Sequence, residues 1–279
     1  GCLCCAASGS LRDTLIDLFA SRGSGRIEAF SRIIVETSGL ANPGPLVATL
    51  IGDSALAGRC HLTQVLTLVD AVNGAATLEQ YEEARMQVAF ADRLLLTKTE
   101  LAGHEAVAAL EARLAQLNAH APLQRRALGE PPMSHFADAA TVRTRPAFAL
   151  GQARPAAWAG SGGGGGAHHG QAFGRIHTHV LSLPQILSWD SYAALTQALR
   201  MRLGRRLLRC KGLLAIDDGS GLPSVVQGVQ GYFAPPQRLP AWPPGVPQGF
   251  LVCIAEAVTP DEIQALVRPL IPTAESLCP

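Results

Sequence analysis

Residues 65–100, VLTLVDAVNGAATLEQYEEARMQVAFADRLLLTKTE, decide the fold of this chain. Val65 to Val69 is a short apolar run that stops at Asp70. Leu94-Leu95-Leu96 is another, and it stops at Thr97-Lys98-Thr99-Glu100. Apolar runs this short, without polar alternation, read as strands covered on both faces. Between them the pattern predicts a helix from about Leu78, with Thr77 and Gln80 placed as a capping box. Buried strands alternating with helices imply a parallel sheet with helices packed on it.

The same grammar extends in both directions. Upstream, Ile33-Ile34-Val35 predicts a further buried strand, running into Glu36-Thr37-Ser38-Gly39. Before it, Leu11, Leu15, Leu18 and Phe19 recur at helical spacing, after Ser10 with Asp13 three positions on. Downstream, Val107, Leu110, Leu114 and Leu117 mark another helix. In such α/β sheets ligands bind beyond the carboxyl ends of the strands. Glu36, Asp70 and Lys98 all fall at these ends.

From Ala149 to Gln171 the pattern dissolves. Ser161 to Gly166 is one serine and five glycines, followed by Ala167-His168-His169-Gly170, which reads as a flexible linker. Beyond it Ile176–Leu183 predicts a strand, and Tyr192, Leu195, Leu199 and Leu203 line one helix face. Leu213–Ile216 and Val225–Phe233 read as strands joined by the turn Asp217-Asp218-Gly219-Ser220-Gly221, and Phe250–Ile254 as another strand. At Thr259-Pro260-Asp261-Glu262, cap, first-turn proline and capping-box glutamate agree on a last helix. The expected organisation is an α/β domain over 1–150, a Gly/His linker over 151–172 and a smaller α+β domain over 173–279.

Composition limits the functional classes. Of 279 residues, 48% are hydrophobic and 16% charged, enough for two real cores. A formal net charge of +1 offers no electrostatic case for nucleic acid or for an anionic membrane. No apolar run approaches a membrane span, and no signal peptide is visible. The seven cysteines are an odd number with three nearly adjacent, which is no disulfide framework and suggests a reduced, cytoplasmic setting.

Those three are Cys2, Cys4 and Cys5, in Gly1-Cys2-Leu3-Cys4-Cys5. Three thiolates within four positions can converge on one soft ion such as Zn²⁺ or Cu(I). Zinc takes four ligands, so the fourth must come from elsewhere and the site would be exchangeable. The competing reading treats the thiols as small apolar side chains. Cys60, Cys210, Cys253 and Cys278 are isolated in sequence and read as ordinary core or surface thiols.

The C-x-C-C segment, Val35-Glu36-Thr37-Ser38-Gly39-Leu40-Ala41-Asn42-Pro43 and the run from Gln87 to Glu100 come in an order that resembles the CobW-like P-loop GTPases, the zinc metallochaperone group. Leu207-Leu208-Arg209-Cys210-Lys211-Gly212 and Val226-Gln227-Gly228-Val229 resemble the C-terminal domain of the same family. The resemblance implies a P-loop NTPase-type sheet, GTP and Mg²⁺ as ligands, GTP hydrolysis, and transfer of Zn²⁺ to a client metalloprotein. It casts Glu36 as the Mg²⁺-holding carboxylate and Gly39 as the N–H donor to the γ-phosphate. Thr97-Lys98-Thr99-Glu100 takes the place of the guanine-recognition motif, with Thr97 for asparagine and Glu100 for aspartate. Lys98, the only lysine besides Lys211, would pack over the base. His168 and His169, with His177 and His179 nearby, resemble in reduced form a histidine-rich stretch that captures metal; His177 and His179 could equally face solvent on a strand.

One departure stands out. The motif G-x-x-x-x-G-K-[ST], whose backbone and lysine cradle phosphates, is absent from residues 1–279. In the family it precedes the C-x-C-C motif, on a first strand and helix. The expectation is therefore that the sequence is truncated, or that nucleotide binding is lost. In the second case the chain would be a non-enzymatic metal-binding scaffold. A cobalt or nickel chaperone for cofactor synthesis is a further alternative, since thiolates bind those ions too.

Overall fold

The computed structural model describes residues 7–56, 58–126, 129, 176–183, 186–217, 219–243 and 249–270. Cys2, Cys4, Cys5, Cys278, His168, His169 and the whole of the expected linker lie outside them.

The N-terminal half is the expected parallel α/β unit. Strands β1 (Leu66–Asp70), β2 (Arg93–Thr97) and β3 (Leu123–Arg125) form one sheet in that order, with Asp70 opposite Thr97. Among the described residues five helices accompany it: α1 (Ala7–Gly23), α2 (Pro43–Gly52), α3 (Gly74–Gln80), α4 (Glu82–Phe90) and α5 (His104–Leu117). Leu94 and Leu96 pack with Val107, Leu110 and Leu114 of α5 and Leu78 of α3 in one buried cluster. Leu95, which points to the opposite face, is buried as well, so the central strand is covered on both sides.

Three local expectations need correction. Ile33–Val35 is not a strand: residues 28–37 pair with no ladder, and Ile34 and Val35 are 52% and 39% exposed. β1 is the sheet edge on that side, with Leu68 59% exposed, so the segment gains neither backbone partners nor a covered face. The helix expected from Leu78 begins at Gly74, and Thr77 sits inside it, its hydroxyl donating to the Asn73 carbonyl at 2.9 Å rather than capping. It breaks at Tyr81, whose extended backbone starts α4. Ser10 likewise falls within α1 rather than at its start.

The C-terminal half is a mainly antiparallel sheet. Strands β4 (Ile176–Ser182), β5 (Ile186–Leu187), β6 (Leu207–Ile216), β7 (Pro223–Val229), β8 (Tyr232–Phe233), β9 (Gln237–Arg238) and β10 (Phe250–Glu256) take the order β4-β10-β6-β7-β8, with β5 beside β6 and β9 beside β7. Helices α6 (Trp189–Leu203) and α7 (Pro260–Val267) cover one face through Leu195, Leu199 and Ile263. Thr259 caps α7 as expected, its hydroxyl accepting from the Glu262 N–H at 3.2 Å.

All ten residues of β6 are buried because its second face packs on the N-terminal half. There Leu208, Val229 and Ile254 meet Val47 of α2 and Met86 and Phe90 of α4. At Gly212 on β6 a Cβ would collide with the Phe250 carbonyl oxygen, so the close approach of β10 requires glycine. Cys210 and Cys253 are not isolated, as their spacing in sequence suggests: they sit opposite each other on β6 and β10 with sulfurs 3.5 Å apart. Their mutual hydrogen bond, then burial, pushes the Cys253 thiol well above its ordinary pKa. His179, expected at the surface with His177, is buried beside Cys253, while His177 is exposed.

Candidate functional site

The carboxyl ends of β1 and β2 bring Asp70, Thr97, Lys98 and Glu100 to one edge of the sheet. Thr97 locks the two ends together: its carbonyl accepts from the Ala71 N–H at 2.8 Å and its hydroxyl donates to the Val69 carbonyl at 3.2 Å. Lys98 then adopts a left-handed backbone, φ 58°, which turns the chain straight into a 3-10 helix over Thr99–Leu101. That turn leaves Glu100 exposed at the edge. The Lys98 ammonium donates to Asp70 Oδ2 at 2.6 Å. Lys98, more than burial or the Val72 and Asn73 amides, sets the Asp70 carboxyl below its usual range. Adjacent ends of parallel strands in register place these two charges together, a relation invisible in either segment alone.

Glu36 and Gly39 lie on the loop between α1 and α2. Glu36 is exposed. The following turn closes through the Ala41 N–H to the Ser38 carbonyl at 3.0 Å, and Asn42 caps α2 by accepting from the Gly44 N–H at 2.9 Å, with Pro43 at the first helical position. Gln87 of α4 holds the turn from below, its amide donating to the carbonyls of Gly39 and Ala41, each at 2.9 Å. The Gln87 carbonyl in turn accepts from the Thr67 hydroxyl on β1 at 2.9 Å. Sequence reasoning marked Gln87 only as the start of a resembling run; here it is the strut that fixes the Gly39 turn to the sheet. A Cβ placed on Gly39 would meet nothing within 4 Å, so the turn is open at that position.

The turn is also linked backwards toward the cysteines. Helix α1, which follows Cys5, packs Leu11 and Leu15 against Leu46 and Leu56. Arg12 Nε donates to Asp53 Oδ2 at 2.8 Å, fastening α1 to the far end of α2. Cys2, Cys4 and Cys5 themselves, with His168 and His169, lie outside the described residues, so their geometry stays an expectation. Among the described residues no group of three His, Cys, Asp or Glu side chains is placed to hold a metal.

A second feature escaped the sequence reading. Asp92, just before β2, has a side chain only 7% exposed, which accepts from Arg209 Nη2 at 2.8 Å and from Lys211 Nζ at 2.8 Å. It also accepts from the Val65 N–H at 2.8 Å, and Arg209 reaches on to the Phe90 carbonyl. Burial alone would raise the Asp92 carboxyl, but Arg209 and Lys211 outweigh it and hold it below the ordinary range. Arg209 and Lys211 alternate on β6 and so face the N-terminal half together, beside the apolar Leu208, Val229 and Ile254. The pattern R-x-K inside a fully buried strand was the available signal.

Comparison with known proteins agrees with both halves. Residues 1–125 match the CobW/HypB/UreG nucleotide-binding domain, and residues 176–270 match the cobalamin synthesis protein cobW C-terminal domain. The zinc chaperone YjiA of Escherichia coli is 30% identical over 272 residues, 95% of this chain and 78% of YjiA. The zinc-regulated GTPase metalloprotein activator 1 of Saccharomyces cerevisiae is 24% identical over 267 residues, 82% of this chain and 59% of that protein. The crystal structure of Zn(II)-bound YjiA GTPase superimposes with a TM-score of 0.66 at 29% identity, covering 94% of this chain and 77% of YjiA's. From the parallel sheet, the antiparallel domain behind it and these matches, the chain belongs to the CobW/HypB/UreG family of nucleotide-binding proteins, in the group that carries the CobW C-terminal domain.

Proposed function

We propose that this chain is the greater part of a GTP-dependent zinc chaperone, holding Zn²⁺ as cargo at Cys2, Cys4 and Cys5 and releasing it to a client metalloprotein in the cytoplasm. One observation carries this reading. The helix that follows the cysteines is clamped to α2 by the Arg12–Asp53 bond and by Leu11 and Leu15. The N-terminus of α2 is the Gly39–Asn42 turn. A displacement of that turn therefore has a packed lever to the helix that follows the cysteines in sequence.

The residues present would supply groups for the base, the γ-phosphate and the Mg²⁺ of a guanine nucleotide. Bound Mg²⁺ would supply the positive charge that phosphoryl transfer needs, and Glu36 is the exposed carboxylate available to hold it directly or through water. The Gly39 N–H would donate to the γ-phosphate across the open side of the turn. Thr97, Lys98 and Glu100 would recognise the base, with Glu100 accepting from the guanine N–H groups and the Lys98 stem, oriented by Asp70, covering the ring. Gln87 would keep the turn on the sheet while the nucleotide state changes. His168 and His169 would serve as a loose secondary metal-collecting segment.

The test is zinc affinity, measured against a competing chelator with and without a non-hydrolysable GTP analogue and Mg²⁺, on the protein with its phosphate-binding motif. Coupled sites should differ in zinc affinity by about 5–150-fold, the ordinary range for linked ligands, with GTP affinity shifted by the same factor. Cys4→Ser should remove the tight site. Equal zinc affinities in the two nucleotide states would overturn the chaperone reading.

A further inference from the structure

Beyond the zinc reading, we infer that the cleft between α1, the two loops before β1 and the C-terminal sheet is a binding site for a small multivalent phosphate anion. The cavity is about 580 Å³ and is lined by Arg22, Arg32, Arg59, His61, Lys211 and Arg238. No aspartate or glutamate is among the described residues that line it. The whole chain carries 23 Lys and Arg against 22 Asp and Glu, so a wall with five of the cations and none of the carboxylates is not a sampling of the average surface. The Lys211 ammonium is already engaged by Asp92, so Arg22, Arg32 and Arg59 are the groups offered to a ligand.

The chemistry of the wall selects phosphate. Arginine forks pair bidentately with phosphate oxygens and keep their charge at any physiological pH. Arg22, Arg32 and Arg59 are exposed and arrive from three separate segments, so they can surround an anion rather than flank it. A low-dielectric cleft of one sign concentrates counter-ions. Phe19 and Phe30 form an apolar side, their rings 6.1 Å apart, with the Arg22 guanidinium 5.0 Å from the centre of Phe30. Thr63 and Gln227 add neutral hydrogen-bonding groups. A volume in the usual range for small-ligand cavities, about 300–1,000 Å³, favours a compact polyphosphate over a protein segment.

The site is separate from the nucleotide edge. Residues 59–63 lead into the amino end of β1, whereas Asp70, Lys98 and Glu100 lie at the carboxyl ends. The five residues of β1 at about 3.3 Å each set the two roughly 16 Å apart. The loop that supplies Arg32 and Ile33 runs on to Glu36 and Gly39, so an anion bound here would bear on the segment that meets the γ-phosphate.

Inorganic pyrophosphate, without Mg²⁺, is the probe. Calorimetry on residues 1–279 should show one site whose affinity weakens as salt rises. Arg32→Ala and Arg59→Ala should each weaken it by about tenfold or more, Arg59→Lys by less, and Arg205→Ala, an exposed arginine outside the cleft, not at all. Circular dichroism of the variants should match the wild type, because the side chains removed are exposed. No binding at millimolar pyrophosphate overturns the inference. So does equal binding by wild type and both alanine variants, which would put the anion elsewhere, or capture of a glutamate-rich peptide in place of pyrophosphate.

Discussion

Replacing Asp92 by asparagine tests how the two halves of the molecule are held together. The substitution keeps the shape and removes the charge. Arg209 and Lys211, with side chains 6% and 10% exposed, would then be buried without a counter-ion. Stripping one partner from a buried charge cluster costs roughly 3–5 kcal/mol, because the remaining charges cannot regain water. At about 2–4 °C per kcal/mol for chains of around 200 residues, the melting temperature should fall by on the order of 10 °C. The control is Glu111→Gln, which breaks the more exposed pair with Arg125 and should cost less than about 1 kcal/mol. The triple change Asp92→Leu, Arg209→Met, Lys211→Met should recover most of the loss, since a well-packed apolar replacement needs no desolvation of charge. pH supplies an independent sign. The Asp92 carboxyl is held below its ordinary 3.8, so its contribution is complete above that value and disappears as pH falls through the lowered folded pKa. Wild type and Asp92→Asn should therefore converge in acid. Urea unfolding with a loss below about 1 kcal/mol, or a triple variant no better than the single one, would refute the assignment of Asp92 as the hub of the interface.

Two further outcomes follow from the same geometry. Gln87→Ala removes both donors to the Gly39 turn, a local loss of about 1–2 kcal/mol. Hydrogen exchange at the Ala41 and Gly44 amides should quicken by about tenfold with the far-ultraviolet spectrum unchanged, and unaltered exchange would remove Gln87 from the account. Burial pushes His120 down to about 4 from 6.5, so the folded protein keeps it neutral while the unfolded chain takes up a proton. Stability should be full above pH 6.5 and decline by up to about 3 kcal/mol as pH falls toward 4. His120→Gln should flatten that part of the pH profile, and a parallel decline in both proteins would show that another group is responsible.

The phosphate-cleft inference and the chaperone reading make different use of the same loop. Residues 30–33 line the basic cleft, Glu36 and Gly39 follow, and Asn42 starts α2. A ligand at either end acts on one short segment that belongs to neither sheet. Gln87 holds its far end by two hydrogen bonds.

The sequence by itself determined the strands at Leu66–Asp70 and Arg93–Thr97, the amphipathic helices after them, the cap at Thr259 and the places of Asp70 and Lys98 at strand ends, though not that of Glu36, whose strand does not form. These are consequences of local periodicity and backbone chemistry, which neighbouring residues encode together. The family was legible for the same reason, since its motifs are short segments in a fixed order. Only the tertiary structure decided the rest. Ile33–Val35 has a strand's composition, yet the burial that would make it one depends on a neighbour beside β1. Thr77 has a cap's chemistry, but α3 already starts at Gly74, where a glycine fits against Val69 and Leu110. Asp92 finds Arg209 and Lys211 more than a hundred residues away. Charge pairing, sheet edges and the gathering of arginines around one cleft depend on which surfaces meet, and no periodicity along the chain records that.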